Sequence, residues 1–442
     1  MNIKDVNFGI LGMARSGLAA AYKIKELGGH PFISEKKPEK DIDDPHKIRA
    51  DFDCEFGGHS DRLLDCDIII ISPGIPLDIP ILIRAKEKKI KLISEIEFGY
   101  LIKHPESKII AITGSNGKST TVSLIHHILQ TAGFNSILAG NIGTAFTSCK
   151  IEKAGIDVIV LELSSFQLEL INKFRPDVAV ILNITPDHLD RYNSMEEYAL
   201  TKFNIFKNQK EDNLAILNYN DEYCKKFDKK ISAVKKYFSL DFITDIFYNG
   251  NSIIFGDNII SIQRSSIKGP HNTANIMASI LAVSPFKIRN EIIEKALSSF
   301  VSLPHRLEPV AIINGIKFIN DSKATNTDSV KYALQSFEEP IRIIMGGAGK
   351  GEDYSVLNPY LKKHAKKIYL IGDARYKMKK AFENIVDIEL FDDFEKSIIA
   401  AFSEAEKGDS IVLSPACTSY DMFNNFEERG NKFKQIVLGL GK

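Results

Sequence analysis

The chain has 442 residues, 44% of them hydrophobic and 26% charged, which suits about three ordinarily packed globular domains. Its 57 Lys and Arg balance 57 Asp and Glu, so no global charge argues for nucleic acid or an anionic membrane as a partner. Five scattered cysteines (Cys54, Cys66, Cys149, Cys224, Cys417) form no C-x-x-C pair, and no apolar segment follows a basic start, which argues against a disulfide framework, structural zinc or a signal peptide and for a cytoplasmic setting.

From Met1 to about Glu97, short β-type runs at Val6–Leu11, Pro31–Ser34, Ile68–Ser72 and Lys91–Ile93 alternate with helical stretches such as Leu18–Leu27. That alternation predicts βαβ units on a parallel sheet. Runs such as Ile68–Ile71 are far too short to span a bilayer, so no membrane insertion is expected. A second segment, Phe98 to Ser302, opens with the strand Lys108–Thr113, a Gly-rich turn and a helix over Val122–Gln130. Buried strands follow at Val158–Glu162 and Val178–Asn183. The stretch Asp221–Ser266, rich in Lys, Asp, Asn and Ile, reads as irregular strands and loops. The third segment begins near Leu303-Pro304 and carries strands at Lys317–Asn320, Ile341–Met345, Lys367–Ile371 and Ser410–Ser414. The fold class is therefore α/β in three domains, residues 1–97, 98–302 and 303–442. The first and last are expected to be Rossmann-like, and the central one a P-loop ATPase domain.

The sharpest local signal is Thr113-Gly114-Ser115-Asn116-Gly117-Lys118-Ser119-Thr120, set between an apolar strand and a helix. Gly114 and Gly117 allow backbone N–H groups to turn onto a phosphate, and the helix start adds partial positive charge. Lys118 is placed to reach the β- and γ-phosphates of ATP, and Ser119 to put a hydroxyl on Mg²⁺. A strict Walker A would have glycine where this chain has Ile112, so the match is the shorter G-x-x-G-K-S form.

Glu162 ends a buried strand, a good position for a Mg²⁺ ligand, although a solvated strand-end acid would look the same. His188 lies just past the end of the next strand, in Asn183-Ile184-Thr185-Pro186-Asp187-His188-Leu189-Asp190. Alone, it reads more readily as a structural histidine than as a ligand. Lys202 sits on the apolar stripe of a helix over Ser194–Lys207, at i+4 from Tyr198 and i−4 from Phe206. Either its stem snorkels along that face, or it faces the active site, where a carbamate formed with CO₂ would make it an anion able to ligate metal. Periodicity alone favours the snorkel.

These motifs occur in one order with the G-N-I-G of Gly140–Gly143, L-E-L-S-S-F-Q-L-E, N-I-T-P-D-H-L-D-R-Y, G-P-H-N-T-A-N and L-P-H-R-L-E. N-D-S-K-A-T-N, G-G-A-G-K-G and S-P-A-C-T-S-Y-D-M-F-N-N-F-E-E-R-G follow. Over essentially its whole length the chain resembles the Mur ligase family, and L-P-H-R with the last motif points to the D-glutamate-adding branch. The resemblance implies ATP-dependent joining of D-glutamate to UDP-N-acetylmuramoyl-L-alanine through an acyl phosphate, in peptidoglycan precursor synthesis. It implies two Mg²⁺ ions around Ser119, Glu162, His188 and carbamylated Lys202, with Lys118, His188, Lys202 and Lys323 serving catalysis. Asn275, Arg306 and Asp321 would approach ATP. Thr325, Lys350, Ser419 and Phe426 match positions that hold D-glutamate, although by themselves Lys350 reads as a surface lysine and Phe426 as core.

Asn141 matches a position touching the muramoyl substrate. The UDP end would be met by Ala14, Arg15, Glu35, Lys36, Ser72 and Gly74. Here the chain departs from the family: Ala14 replaces a glycine of the turn Gly9–Gly17, and Lys36-Lys37 replace Thr-Arg. The expected enzyme is a monomer with small-molecule substrates, closing by a hinge near Leu303. Two other readings remain at this stage: a sister ligase such as a folylpolyglutamate synthase, and a nucleotide-binding regulator without ligase chemistry.

Overall fold

A computed structural model describes residues 1–187, 191–301 and 303–441. The chain divides into two compact units. One comprises Met1–Ile184, Ser194–Gln263 and Ala274–Ala296; the other comprises Thr185–Asn193, Arg264–Thr273 and Leu297–Lys442.

The first unit holds two sheets. The N-terminal one contains β1 (Asn7–Leu11), β2 (His30–Glu35), β3 (Asp53–Phe56), β4 (Ile68–Ile71) and β5 (Lys91–Ser94), in the order β3-β2-β1-β4-β5. All its pairings are parallel. The four isoleucines of β4 explain why a parallel strand reads as one apolar run. Ile68 and Ile70 enter one core and Ile69 and Ile71 the other. Strand order reverses between β1 and β4, so a ligand crevice is expected at their C-terminal ends.

The second sheet contains β6 (Lys108–Thr113), β7 (Ser136–Gly140), β8 (Val158–Glu162), β9 (Val178–Ile181) and β10 (Leu214–Asn218), then β11 (Val234–Ser239), β12 (Ile246–Tyr248), β13 (Ser252–Phe255) and β14 (Asn258–Ser261). Its order is β14-β13-β12-β11-β10-β9-β6-β8-β7. Pairing is parallel from β7 to β12, and β12, β13 and β14 close the edge as an antiparallel meander. The stretch Asp221–Ser266 is thus more regular than its composition suggests, with the short helix Glu222–Phe227 and four strands. The helix expected over Ser194–Lys207 runs from Met195 to Phe203, capped by the Ser194 hydroxyl, and tightens to a 3₁₀ turn at Asn204–Phe206.

Two buried carboxylates fasten these sheets. Glu97 accepts the backbone N–H groups of Asn172, Lys173 and Phe174 at 2.9, 2.8 and 2.8 Å. Glu95 accepts the N–H and hydroxyl of Thr147 at 2.6 and 2.7 Å.

The second unit is built on β15 (Glu308–Ile313), β16 (Ile316–Asn320), β17 (Ile341–Gly346), β18 (Ala365–Ile371), β19 (Asp387–Leu390) and β20 (Ser410–Leu413). Their order is β15-β16-β20-β17-β18-β19, with β15 antiparallel to β16 and the other pairings parallel. The last strand therefore lies between β16 and β17. Helices cover both faces: Ile343 and Val412 face one core, Ile344 and Leu413 the other. Among the described residues no helix is long and apolar enough to cross a membrane.

Candidate active site

In the first unit the turn after β6 has the shape its glycines predict. Gly114 and Gly117 have φ of +153° and +84°, and Gly117 caps the helix Lys118–Thr131, which starts four residues before the expected Val122. Ser119 and Thr120 are buried at the start of that helix. Lys118 Nζ donates to the carbonyls of Gly114 and Ser115 at 2.8 and 2.7 Å. A methyl group on Gly117 would lie 2.5 Å from Asn275 Oδ1, so Asn275 lies against the loop.

Asn183, which the motif contains but sequence reasoning left without a role, clamps the same turn. Its carbonyl accepts the Ser115 N–H at 2.9 Å, its Oδ1 accepts the Asn116 N–H at 2.8 Å, and its Nδ2 donates to the Asn116 carbonyl at 3.0 Å.

Of the two readings of Lys202, its burial removes the snorkel. Its side chain is 1% exposed, so it does not snorkel to water. Its Nζ donates to the Gly114 carbonyl at 3.0 Å and lies 4.4 Å from the centre of the Tyr198 ring. Two lysine nitrogens thus converge on one carbonyl of the phosphate loop. The Tyr198 hydroxyl lies 3.3 Å from the Ser115 hydroxyl, a second contact that sequence reasoning missed.

Glu162 ends β8 with its carboxylate buried. Oε1 accepts from Asn141 Nδ2 at 3.0 Å, while Oε2 is enclosed without a hydrogen-bond partner. An enclosed carboxylate oxygen with no donor is costly unless a cation meets it. That oxygen and the Ser119 hydroxyl type make a donor set suited to Mg²⁺. His188, the remaining candidate ligand, lies outside the described residues. Among the described residues no three of His, Cys, Asp and Glu gather as a metal cluster.

At the N-terminal crevice, Ala14 takes φ −69° as the cap of the helix Arg15–Glu26, so that position does not need glycine. The close approach is made by Gly12, at φ +87°, and Gly17, where a methyl group would stand 2.0 Å from the Gly12 carbonyl oxygen. Arg15 Nη1 donates to the Gly143 carbonyl at 2.7 Å. The Ser72 hydroxyl donates to the Gly12 carbonyl at 3.0 Å. Glu35 accepts the Met13 and Lys37 N–H groups at 2.7 and 3.0 Å. Ser72 and Glu35 therefore brace the turn with their side chains, while Lys36 is exposed and Gly74 has open space around its Cα.

In the second unit, Asp321 is buried, accepting from the Ser414 hydroxyl at 2.8 Å and the Leu307 N–H at 3.2 Å. Burial pushes its carboxyl up to about 7, against the pull of the Arg306 guanidinium. Lys323 Nζ stands 5.1 Å from the centre of the Phe426 ring, and Phe426 meets His305 edge-on at 5.9 Å, half-buried and not a core residue. Thr325 follows in the same loop, its N–H on the Lys323 carbonyl at 3.0 Å. Ser419 is buried and caps the turn before Phe426, its carbonyl accepting the N–H groups of Met422 and Phe423 at 3.0 and 2.8 Å. Lys350 is no plain surface lysine: it pairs with Asp187 at 3.2 Å.

Arg429, unmarked in the sequence reading, binds these loops together. It is fully buried and donates to the Ser322 hydroxyl and carbonyl and to the Cys417 and Thr418 carbonyls at 2.8 to 3.2 Å. Only its distance along the chain from its partners hid it.

Comparison with known proteins agrees along the chain. Family models match for the MurD N-terminal domain over residues 8–79, the Mur ligase middle domain over 112–283, and the Mur ligase glutamate ligase domain over 305–417. UDP-N-acetylmuramoylalanine--D-glutamate ligase of Alkaliphilus oremlandii is 36% identical, covering 100% of both chains. The protein of the same name from Elusimicrobium minutum is 39% identical over 98% of this chain and 97% of its own. Among solved structures, UDP-N-acetylmuramate-alanine ligase MurC of Thermotoga maritima superposes with a TM-score of 0.66 at 17% identity, covering 98% of this chain and 100% of that one. MurF ligase of Thermotoga maritima in complex with ADP gives 0.64 at 18% identity, covering 93% and 96%. At those identities the two structures speak for the fold alone.

Proposed function

The chain belongs to the Mur ligase family, and from that membership we propose that it joins D-glutamate to UDP-N-acetylmuramoyl-L-alanine with conversion of ATP to ADP and phosphate. The observation that carries the reading is the phosphate loop, where Lys118 and Lys202 meet at Gly114. The kinship over the full length selects the acceptor and the amino acid.

A carboxylate resists attack by an amine because it is anionic and its oxygen leaves poorly. Transfer of the γ-phosphoryl group to the alanine carboxylate gives an acyl phosphate, which the amine of D-glutamate attacks with loss of phosphate. Gly114, Ser115, Asn116, Gly117 and Thr120 would cradle the nucleotide phosphates, and Lys118 would neutralise charge on the transferring group. Mg²⁺, held by Ser119 and Glu162 with His188 and a Lys202 carbamate completing a two-ion site, would neutralise phosphoryl oxygens. Asn275, Arg306 and Asp321 would bind the nucleotide, with Lys323 at the acyl phosphate. Thr325, Lys350, Ser419 and Phe426 would hold D-glutamate. Asn141, beside Glu162, would meet the muramoyl end, and Arg15, Lys36 and Gly74, with Ala14, Glu35 and Ser72 shaping the turn, the UDP end. The domain limits 1–97, 98–302 and 303–442 belong to this reading, as does a monomeric cytoplasmic enzyme, supported by balanced charge and five free cysteines.

Phosphate release from ATP is the test. It is expected to require both UDP-N-acetylmuramoyl-L-alanine and D-glutamate, and Lys118→Ala should abolish it. Turnover with L-glutamate or a folate in their place would redirect the assignment to a sister ligase. Nucleotide binding without any acceptor-dependent turnover would leave a regulator.

A further inference from the structure

Glu352 lies two residues beyond Lys350, in the loop that leaves β17. That loop is pinned at its base: Ala348 and Thr418 exchange backbone hydrogen bonds of 3.0 and 3.1 Å, and the Thr418 hydroxyl donates to the Ala348 carbonyl at 2.9 Å. Beside it, Lys350 and Asp187 pair at 3.2 Å, each a charge that a zwitterionic ligand can take over. Lys377 donates to the backbone carbonyl of Glu352 at 2.9 Å. Neither lysine makes a hydrogen bond to the Glu352 carboxylate. Among the described residues Glu352 alone has both carboxylate oxygens enclosed and unpartnered. Burial, helped by the Asp187 charge, outweighs the pull of Lys350 and Lys377 and holds the group up to about 7.

An enclosed carboxylate in that condition calls for a cationic hydrogen-bond donor. The loop also carries a lysine suited to an anion, so positive and negative recognition stand side by side. The ligand with that charge pattern is an amino acid: a carboxylate for Lys350 and an ammonium with three N–H donors. We propose that Glu352, with Asp187, receives the α-ammonium of the incoming amino acid and selects an amino dicarboxylate over a plain dicarboxylate. This rests on the reading of Lys350 as part of the D-glutamate site. It makes Glu352 a specificity-determining residue outside the family motif that marks Lys350.

The test compares D-glutamate with glutarate, which keeps both carboxylates and lacks the amino group. Binding of each to the full chain is measured by calorimetry with a non-hydrolysable ATP analogue, alongside steady-state kinetics. Glu352→Gln should raise the Kd and KM for D-glutamate by about tenfold, the worth of one charge-assisted hydrogen bond, while glutarate binding and the KM for ATP stay within about twofold. Glu352→Asp should keep much of the preference. Equal weakening of both ligands would show a merely structural role and overturn the inference, as would an unchanged Kd for D-glutamate. Selective D-glutamate binding without turnover would sink the ligase reading alone. Turnover with an unaltered KM in the Gln variant would sink this inference alone. A wild-type chain that binds no D-glutamate would sink both.

Discussion

At the scale of single residues, burying a carboxylate disfavours its charged form. Asp321 shows the cost. Its ordinary value of 3.8 rises to about 7 because burial disfavours the charged form. Between those two values the unfolded chain gives up this proton while the folded chain keeps it. Stability therefore falls as pH rises from about 4 to about 7, and the full penalty persists above that. Asp321→Asn removes the ionisation, so its unfolding free energy should exceed that of the wild type by on the order of 4 kcal/mol at pH 8 and match it near pH 4, while ATP turnover falls. Urea titrations of both proteins at the two pH values measure this; an advantage of the variant over the wild type no larger at pH 8 than at pH 4 would contradict it. Gly117→Ala is a steric counterpart. Its φ of +84° and the Asn275 amide 2.5 Å from the added methyl group oppose the change, so nucleotide affinity should drop at least about tenfold. Fluorescent-nucleotide titration reads the outcome, and unaltered affinity would refute the close packing.

At the scale of elements, legibility follows position in the sheet. Lys108–Thr113 and Val158–Glu162 were readable to the residue, because strands buried on both faces are nearly continuous apolar runs. Four of the strands that escaped notice, β3, β7, β15 and β19, all lie at sheet edges, where one-sided pairing tolerates charge and proline, as in Asp-Cys-Glu-Phe and Glu-Pro-Val-Ala-Ile-Ile. The phosphate loop was legible because its chemistry is local. The destination of Lys202 was not, since periodicity names the face of a helix but not what that face meets. The roles of Asn183 and Arg429 depend on loops distant in the chain. The helix Glu95–Ile102 makes an element-scale prediction. Glu97 serves three backbone N–H groups, and the amide of Glu97→Gln cannot accept them all. Stranding one or two buried donors should cost about 3 kcal/mol, seen as a lower denaturation midpoint. An unchanged midpoint would mean that the carboxylate carries no structural weight.

At the scale of the whole molecule, the two units differ in how far along the chain their sheets reach. The N-terminal sheet is complete by Ser94. The C-terminal sheet has β20, its last strand, in the middle: Lys317–Asn320 pair with residues 410–413 on one side, and Arg342–Ile344 pair with residues 411–413 on the other. A chain stopped after residue 409 leaves β16 and β17 without their common neighbour. Limited proteolysis of that truncation should then digest the segment from β15 onward, and a resistant fragment containing β15 to β19 would disprove the dependence. The same topology sets a timetable during translation. At about 5–20 residues per second, the β1–β5 layer is free to consolidate while most of the polypeptide is still unmade. The final layer has to wait for its keystone, β20, which is made only after the other strands of that sheet. Until β20 arrives, β16 and β17 present bare facing edges, so nascent-chain chaperones should matter most for this last stretch.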